Sequence, residues 1–192
     1  MNSQSTADAE LNATSPELTL PTYKYFPGWS MLGIAALAQF LSAPGQSFSV
    51  AVFKDPMRAS LGLTETQYSL AYGFATIVSA CLLPVVGRLL DHFGARIILP
   101  IIAVGLAAAC FIMSRIHSLS ELYIGFSLVR SLGQGALTLI SVWMVGEWFE
   151  KKRGRATALA GFGSAFSVMT IPLLNSWLIP HYGWQTGWLV HA

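Results

Sequence analysis

Charge is what this 192-residue sequence has least of. Asp, Glu, Lys and Arg together make up 10% of it, where soluble domains carry roughly 25%, so a water-facing globule of this size could not be coated. Cysteine is nearly missing as well. Cys81 and Cys110 lie in separate apolar stretches, which excludes a disulfide-stapled scaffold and leaves them as small core residues. No Gly-rich phosphate loop of Walker type is present, so ATP-driven work has no support. His92, His117, His181 and His191 are scattered without metal-ligand spacing, and no Ser/His/Asp set suggests an enzyme. No cofactor and no metal are expected. A net charge of +2 is too small to suggest nucleic acid. What is abundant is apolar surface: 54% hydrophobic residues and a mean hydropathy of +0.56. These figures describe an integral membrane protein.

The charge-free intervals set the architecture. They are Tyr25 to Phe53, Thr66 to Gly87, Ile97 to Ser114, Leu122 to Gly146 interrupted only by Arg130, and Ala156 to Ala192. A helix needs about 20 mostly apolar residues to cross the hydrocarbon. Strict alternation over about ten residues, the mark of a membrane barrel strand, occurs in none of them. The spacing predicts helices over residues 28–53, 66–87, 96–114, 121–148 and 156–179, a short turn at 180–184, and a sixth helix over 185–192. Eight residues rise only about 12 Å, so the sixth helix is expected to be incomplete and the chain to be part of a longer protein.

Residues 1–24 are polar and hold no apolar run. They read as a disordered cytoplasmic tail and not a signal peptide. Orientation follows from the positive residues of the short loops. With the amino terminus inside, Lys24, Arg88, Arg96, Lys151, Lys152, Arg153 and Arg155 are cytoplasmic. Lys54, Arg58 and Arg115 are outside and Arg130 is intramembrane, which accounts for all 11 Lys and Arg. A multi-pass protein of the cell membrane with a cytoplasmic amino terminus is expected.

Two polar stripes interrupt the apolar spans. At about 100° per residue, Gln39, Ser42, Gln46 and Ser49 share an arc of roughly 80° on the first helix. Ser127, Arg130, Ser131, Gln134, Thr138 and Ser141 share roughly 100° on the fourth. Either a hydrated cavity or helix–helix hydrogen bonding accounts for such stripes. An intramembrane Arg faces the bundle interior or water. Arg130 therefore binds an anionic substrate, serves as an internal hydrogen-bond hub, or snorkels to an interface. The substrate cavity is expected at Gln39, Ser42, Gln46, Ser49, Arg130, Gln134, Thr138 and Ser141. No Asp or Glu sits mid-span. Pro44-Gly45, Pro84 and Pro172 are expected to kink their helices, and Tyr68/Tyr72 and Trp143/Trp148 to mark membrane interfaces.

Between the second and third spans runs Gly87-Arg88-Leu89-Leu90-Asp91-His92-Phe93-Gly94-Ala95-Arg96. Glycines permit a tight turn, and Asp91 lies between two guanidiniums that could lock helix ends together. Here the sequence resembles the major facilitator superfamily, whose signature at this place it matches at Gly87, Leu89, Asp91, Gly94 and Arg96. It departs at His92, Ala95 and Ile97, where basic residues are common. Arg130, Gly133 and Gly135 resemble a second signature of that family. Glu147 to Ala156, Ala160-Gly161-Phe162-Gly163 and Tyr182-Gly183-Trp184 resemble its monocarboxylate-porter and oxalate–formate branch. Pro27-Gly28-Trp29 lacks the acidic residue that monocarboxylate porters carry before the first helix. Gly161 to Pro172 only faintly matches the antiporter motif of the fifth.

The resemblance spans roughly residues 28–192. It implies an all-α integral membrane fold, the amino-terminal six-helix bundle of a major facilitator transporter. It implies alternating access around a midplane site, with a small organic anion such as a monocarboxylate as substrate. Membrane lipid, a carboxyl-terminal six-helix half and a coupling proton are the partners it admits. It also implies a cytoplasmic gate at Gly87, Arg88, Asp91, Gly94, Arg96, Glu147 and Arg155, with Glu147 pairing to Arg88, Arg96 or Arg155 when that side is closed. The competing readings are a non-transporting multi-span scaffold or receptor, and an inert fragment.

Overall fold

The computed structural model describes residues 28–150 and 152–192. The expected tail at 1–24, with Pro27 and Lys151, lies outside them. Among the described residues the elements are helical, with no strand. The first span comprises α1 (Gly28–Leu41), a 3-10 turn (Ala43–Gly45) and α2 (Ser47–Leu61). The second is α3 (Glu65–Phe93) and the third α4 (Ala95–Met113). The fourth comprises α5 (Leu119–Val129), a π-helical segment (Arg130–Leu137) and α6 (Thr138–Trp148). The remainder is α7 (Arg153–Val190). Four of these stretches are long and apolar enough to cross a membrane. Large side chains such as Ile77, Val104, Phe162 and Leu173 cover the outside of the bundle. Only lipid is a fitting solvent for that surface. The chain is a multi-pass integral membrane protein.

Where the helices break follows from single residues. Pro44 has no N–H to donate and its ring crowds the preceding turn, so the first span tightens to 3-10 bonding, with Gly45 N donating to Ser42 O (3.1 Å) and Gln46 N to Ala43 O (2.9 Å). Beyond the apolar stretch α2 runs on through Lys54, Asp55 and Arg58 until Gly62, at φ 64°, ends it. A capping box then starts α3: Gln67 N donates to Thr64 Oγ1 (3.2 Å) and Thr64 N to Gln67 Oε1 (2.9 Å). Thr64→Ala is expected to cost about 1 kcal/mol, the usual worth of such a cap, read as a lowered unfolding midpoint in detergent.

The segment read from sequence as an 87–96 loop is helical through Phe93. The turn itself shrinks to Gly94, at φ 75° and ψ 163°, a conformation only glycine adopts freely. The expected turn at 180–184 shrinks likewise to Gly183, at φ 83°. Sixteen residues of straight helix would separate His191 from Asn175 by about 24 Å, yet His191 Nε2 lies 3.0 Å from Asn175 Oδ1. The chain therefore doubles back at Gly183.

α1 is clamped between α6 and α7. Ser141 Oγ donates to Ala35 O (2.9 Å) and Ser167 Oγ to Phe40 O (3.1 Å), while Gly163 lies directly on the Ala36 carbonyl. Small residues and hydroxyls hold membrane helices together in this way because lipid supplies no hydrophobic drive between them. The largest buried cluster joins α2, α3, α4, α5 and the end of α7, with Phe53 stacked on Trp188 at 4.5 Å and Tyr68 edge-on to Phe126 at 5.2 Å.

Candidate functional site

The two irregular segments meet. The break at Pro44-Gly45 leaves backbone carbonyls without helical partners, and the π-helical segment of the fourth span docks against it. A Cβ on Gly45 would stand 2.6 Å from both Gln134 N and Val129 O, and one on Gly133 would stand 2.9 Å from Gly45 N. A Cβ on Gly135 would stand 2.9 Å from Ser79 Oγ. Only glycine fits at the backbone approaches of Gly45 and Gly133, whereas at Gly135 the near atom is a side-chain hydroxyl. Single π turns inside helices are frequent at functional sites.

This contact places Arg130. Its side chain is buried, and one NH1 hydrogen bond reaches the freed Gly45 carbonyl at 3.2 Å. Nε donates to Thr76 Oγ1 at 2.8 Å, and NH1 donates also to the Tyr72 hydroxyl. The guanidinium carbon lies 4.2 Å from the centre of the Tyr72 ring, well inside the range of about 6 Å for cation–π attraction. Ser47 Oγ bonds the same Tyr72 hydroxyl at 2.6 Å, and Ser79 Oγ donates to Arg130 O at 3.4 Å. A guanidinium has five N–H donors. Three are used here, and the two on NH2 have no partner among the described residues.

Arg130 lines a cavity of about 410 Å³, with Thr76, Ser79, Gln134 and Thr138 completing its polar wall and Leu83, Leu139 and Val142 its apolar one. Gln134 Oε1 and Thr138 Oγ1 are buried without a hydrogen-bond partner. Buried polar atoms are nearly always bonded, so these two oxygens are exceptions in the packing behind the cavity wall. A guanidinium with unused donors in a cavity wall suits a small anion.

The stripe residues divide. Arg130, Gln134 and Thr138 share the cavity, whereas Ser141 is spent on the α1 carbonyl. On the first span Ser42 Oγ donates to Gln39 O (2.7 Å) and accepts from Gln46 Nε2 (3.1 Å). Ser49 is fully buried and accepts from Asn175 Nδ2 at 3.4 Å. Ser42 and Ser49 thus sit in packing seams away from the Arg130 cavity, with Gln39 and Gln46 half-buried beside them. Short hydroxyls at a helix break bond the local backbone first. In place of the first span, the second supplies the opposite wall through Thr76 and Ser79, while Tyr72 packs against the Arg130 guanidinium without lining the cavity itself. Tyr72, read from sequence as an interface residue, is a partner of Arg130. Residues 72, 76 and 79 fall within about 60° at 100° per residue, so the phase test that marked the other stripes was able to mark this one.

At the other end of α3, Arg88, Asp91, Arg96, Glu147 and Arg155 are exposed and none forms an ion pair; those found among the described residues are Lys54–Glu65 and Arg58–Asp55. Asp91 Oδ1 instead accepts from Trp143 Nε1 at 3.1 Å, tying α3 to α6. Arg153, not marked from sequence, donates to Gly146 O through Nε (3.2 Å) and NH2 (2.8 Å), satisfying an end carbonyl of α6 as basic side chains do at helix C-termini. Arg96 and Glu147 line a second, largely apolar cavity of about 630 Å³ between α1, α4 and α6. Gly94 has its reason in positive φ, but a Cβ on Gly87 would meet nothing within 4 Å.

Tyr72→Phe keeps the ring under the guanidinium and removes the hydroxyl that Arg130 and Ser47 share. Losing one hydrogen bond of ordinary net worth costs about 0.5–1.5 kcal/mol. The expected result is carboxylate binding weaker by roughly two- to tenfold with unchanged circular dichroism, measured by titration in nanodiscs.

A helical membrane bundle with a glycine-hinged turn after the second span and a buried Arg on a broken fourth span belongs to a known class: the chain is a member of the Major Facilitator Superfamily, whose family model matches residues 35–192. Among curated proteins it is 26% identical over 170 residues to human monocarboxylate transporter 14, covering 86% of this chain and 32% of that protein. It is 27% identical over 175 residues to rat monocarboxylate transporter 4, covering 85% and 34%. With the oxalate:formate antiporter of Oxalobacter formigenes it shares 26% over 149 residues, covering 77% and 35%. The chain spans about a third of the length of these relatives.

Proposed function

We propose that this chain is the amino-terminal bundle of a secondary transporter for a small organic anion, with a monocarboxylate as the substrate class. The observation that carries the reading is the buried Arg130 guanidinium, which lines a 410 Å³ cavity and whose three hydrogen bonds leave its NH2 donors without a partner among the described residues. A planar guanidinium edge matches a carboxylate, and holding it rigidly lowers the cost of binding. Resemblance to monocarboxylate transporters and to an oxalate:formate antiporter supports the same class.

Transport follows by alternating access: the bundle rocks against a second six-helix bundle around a shared midplane site. Arg130, Gln134 and Thr138 form this bundle's share of the site. The Gly94 turn, with Arg88, Asp91, Arg96, Glu147 and Arg155, faces the cytoplasm of a cell membrane and gates that side. Glu147 pairs with Arg96, its neighbour on the second cavity, when that side closes. Among the described residues Asp55, Glu65, Asp91, Glu121, Glu147 and Glu150 all lie at span ends, so no carboxylate of this bundle sits mid-span to carry a coupling proton.

The test is counterflow in proteoliposomes holding this chain together with the downstream half of its protein. Labelled formate, acetate, lactate and oxalate are offered as probes. Saturable uptake that needs both halves and Arg130 is the expected result. Uptake of none of the four probes, or uptake indifferent to Arg130, overturns the reading.

A further inference from the structure

We propose that Lys54, with the hydroxyls of Ser47, Ser69 and Tyr72 beneath it, forms a second carboxylate-binding subsite at the end of the bundle opposite the Gly94 turn. Its role as an entry step for the Arg130 cavity rests on the function proposed above; the subsite itself does not.

A separate cavity of about 190 Å³ lies between α2 and α3 and is lined by Ser47, Lys54, Ser69 and Tyr72, together with Val50 and Tyr68. At about 30 Å³ per liquid water it holds roughly six waters, or a small hydrated acid. Ser47, Val50, Ala51 and Lys54 recur on α2 at the spacing of one helix face, so the lysine stands two turns above the serine. Tyr72 is the floor. Its hydroxyl bonds Ser47 on this side and accepts from Arg130 NH1 on the other. The phenol of this cavity thus touches the arginine that lines the other one, and a cation, Lys54 or Arg130, stands on each side of it.

Lys54 pairs with Glu65 at the outer mouth, and that pairing is of a kind that exchanges. The Glu65 side chain is 62% exposed and that of Lys54 is 35% exposed, and exposed ion pairs contribute little. Glu65 also has a second source of stabilisation, because it sits in the first turn of α3, where the helix dipole favours a carboxylate. Releasing Lys54 to an incoming carboxylate leaves Glu65 favourably placed. The neighbouring cation, Arg58, pairs with Asp55 and lines a different cavity, so Lys54 is the cation of this one. The ammonium provides the attraction, and the groove hydroxyls replace water around the anion as it moves toward Tyr72.

The experiment is a titration of the whole chain in nanodiscs, with its lysines dimethylated with ¹³C, a change that keeps their charge. Potassium acetate is the probe, exchanged against potassium chloride at constant ionic strength. The Lys54 signal is identified by its loss in Lys54→Gln. It is expected to shift saturably with acetate, while Lys24 and Lys152 drift without a midpoint. Glu65→Gln, which removes the competing carboxylate, is expected to lower the midpoint about threefold, by competition at a single site. Arg130→Gln is expected to leave the Lys54 titration unchanged. A linear Lys54 response matching that of Lys152 overturns the proposal, and so does a response that disappears in Arg130→Gln, since it would then report the inner cavity. A saturable Lys54 response without any Arg130-dependent binding supports the subsite and overturns the function proposed for Arg130.

Discussion

Arg130→Gln is expected to weaken carboxylate binding by roughly 10- to 100-fold. The figure comes from the loss of a hydrogen bond between charged partners, about 1.5–3 kcal/mol, at about 1.4 kcal/mol per tenfold. The substitution also unpairs the Gly45 carbonyl and takes one of two partners from the Tyr72 hydroxyl and from Thr76 Oγ1. Some of the loss will therefore appear as lower stability. Arg130→Lys separates the two effects. It restores a cation that can reach Tyr72 or Gly45, but a point charge has no second edge to offer the cavity. The lysine variant should regain most of the lost thermal stability while recovering binding only in part. Equal recovery of both would make Arg130 a structural hub and nothing more. The measurements are an unfolding midpoint and a carboxylate titration on the same nanodisc sample.

The largest purely structural effect is expected from Gly163→Ala. Its Cβ would stand 1.9 Å from the Ala36 oxygen, 2.7 Å from its carbonyl carbon and 3.0 Å from its Cα. All three are backbone atoms of α1, which α6 and α7 hold from both sides, so α1 cannot yield by rotating a side chain. Overpacking costs typically 1–3 kcal/mol and sometimes more; at the upper end this lowers the midpoint by roughly 6–12 °C for a chain of this size. Gly161→Ala is the control. Nothing lies within 4 Å of a Cβ there, and removing a helical glycine gains about 0.5–1 kcal/mol. The two variants, two residues apart on one helix, should shift the midpoint in opposite directions. Buried Cys110 serves as the thiol reporter of unfolding, with Cys81, which is exposed, replaced by alanine.

Much of this architecture was legible before any coordinates. Scarce charge and long apolar intervals mark the spans, because hydrocarbon tolerates few ionised groups. Pro44 marks the first break, and the five matches from Gly87 to Arg96 mark the family. Helix ends were less legible. α2 and α3 run past their apolar stretches because capping and glycine, rather than hydropathy, end a helix in water. The polar stripes were legible only in part. A fixed phase of about 100° per residue holds in an α-helix, but the π segment changes the winding between Arg130 and Thr138, so Ser141 turns to α1 instead of the cavity. Tyr72 escaped notice because an aromatic near a span end reads as an interface anchor until its neighbours are known.

The sequence by itself determined that the chain lives in lipid, how many times its apolar stretches recur, and that Arg130 must be sheltered. These are properties of transfer from water and of local spacing, and each residue carries them wherever the helices are placed. Tertiary structure alone decided that Arg130 leans on Tyr72, Thr76 and the Gly45 carbonyl, residues 54 to 85 positions away. It decided equally that Ser49 is spent on Asn175, and that Asp91 meets Trp143 and not an arginine. Partner choice of this kind depends on how two helices cross, and the crossing is set by where a missing side chain lets backbones touch.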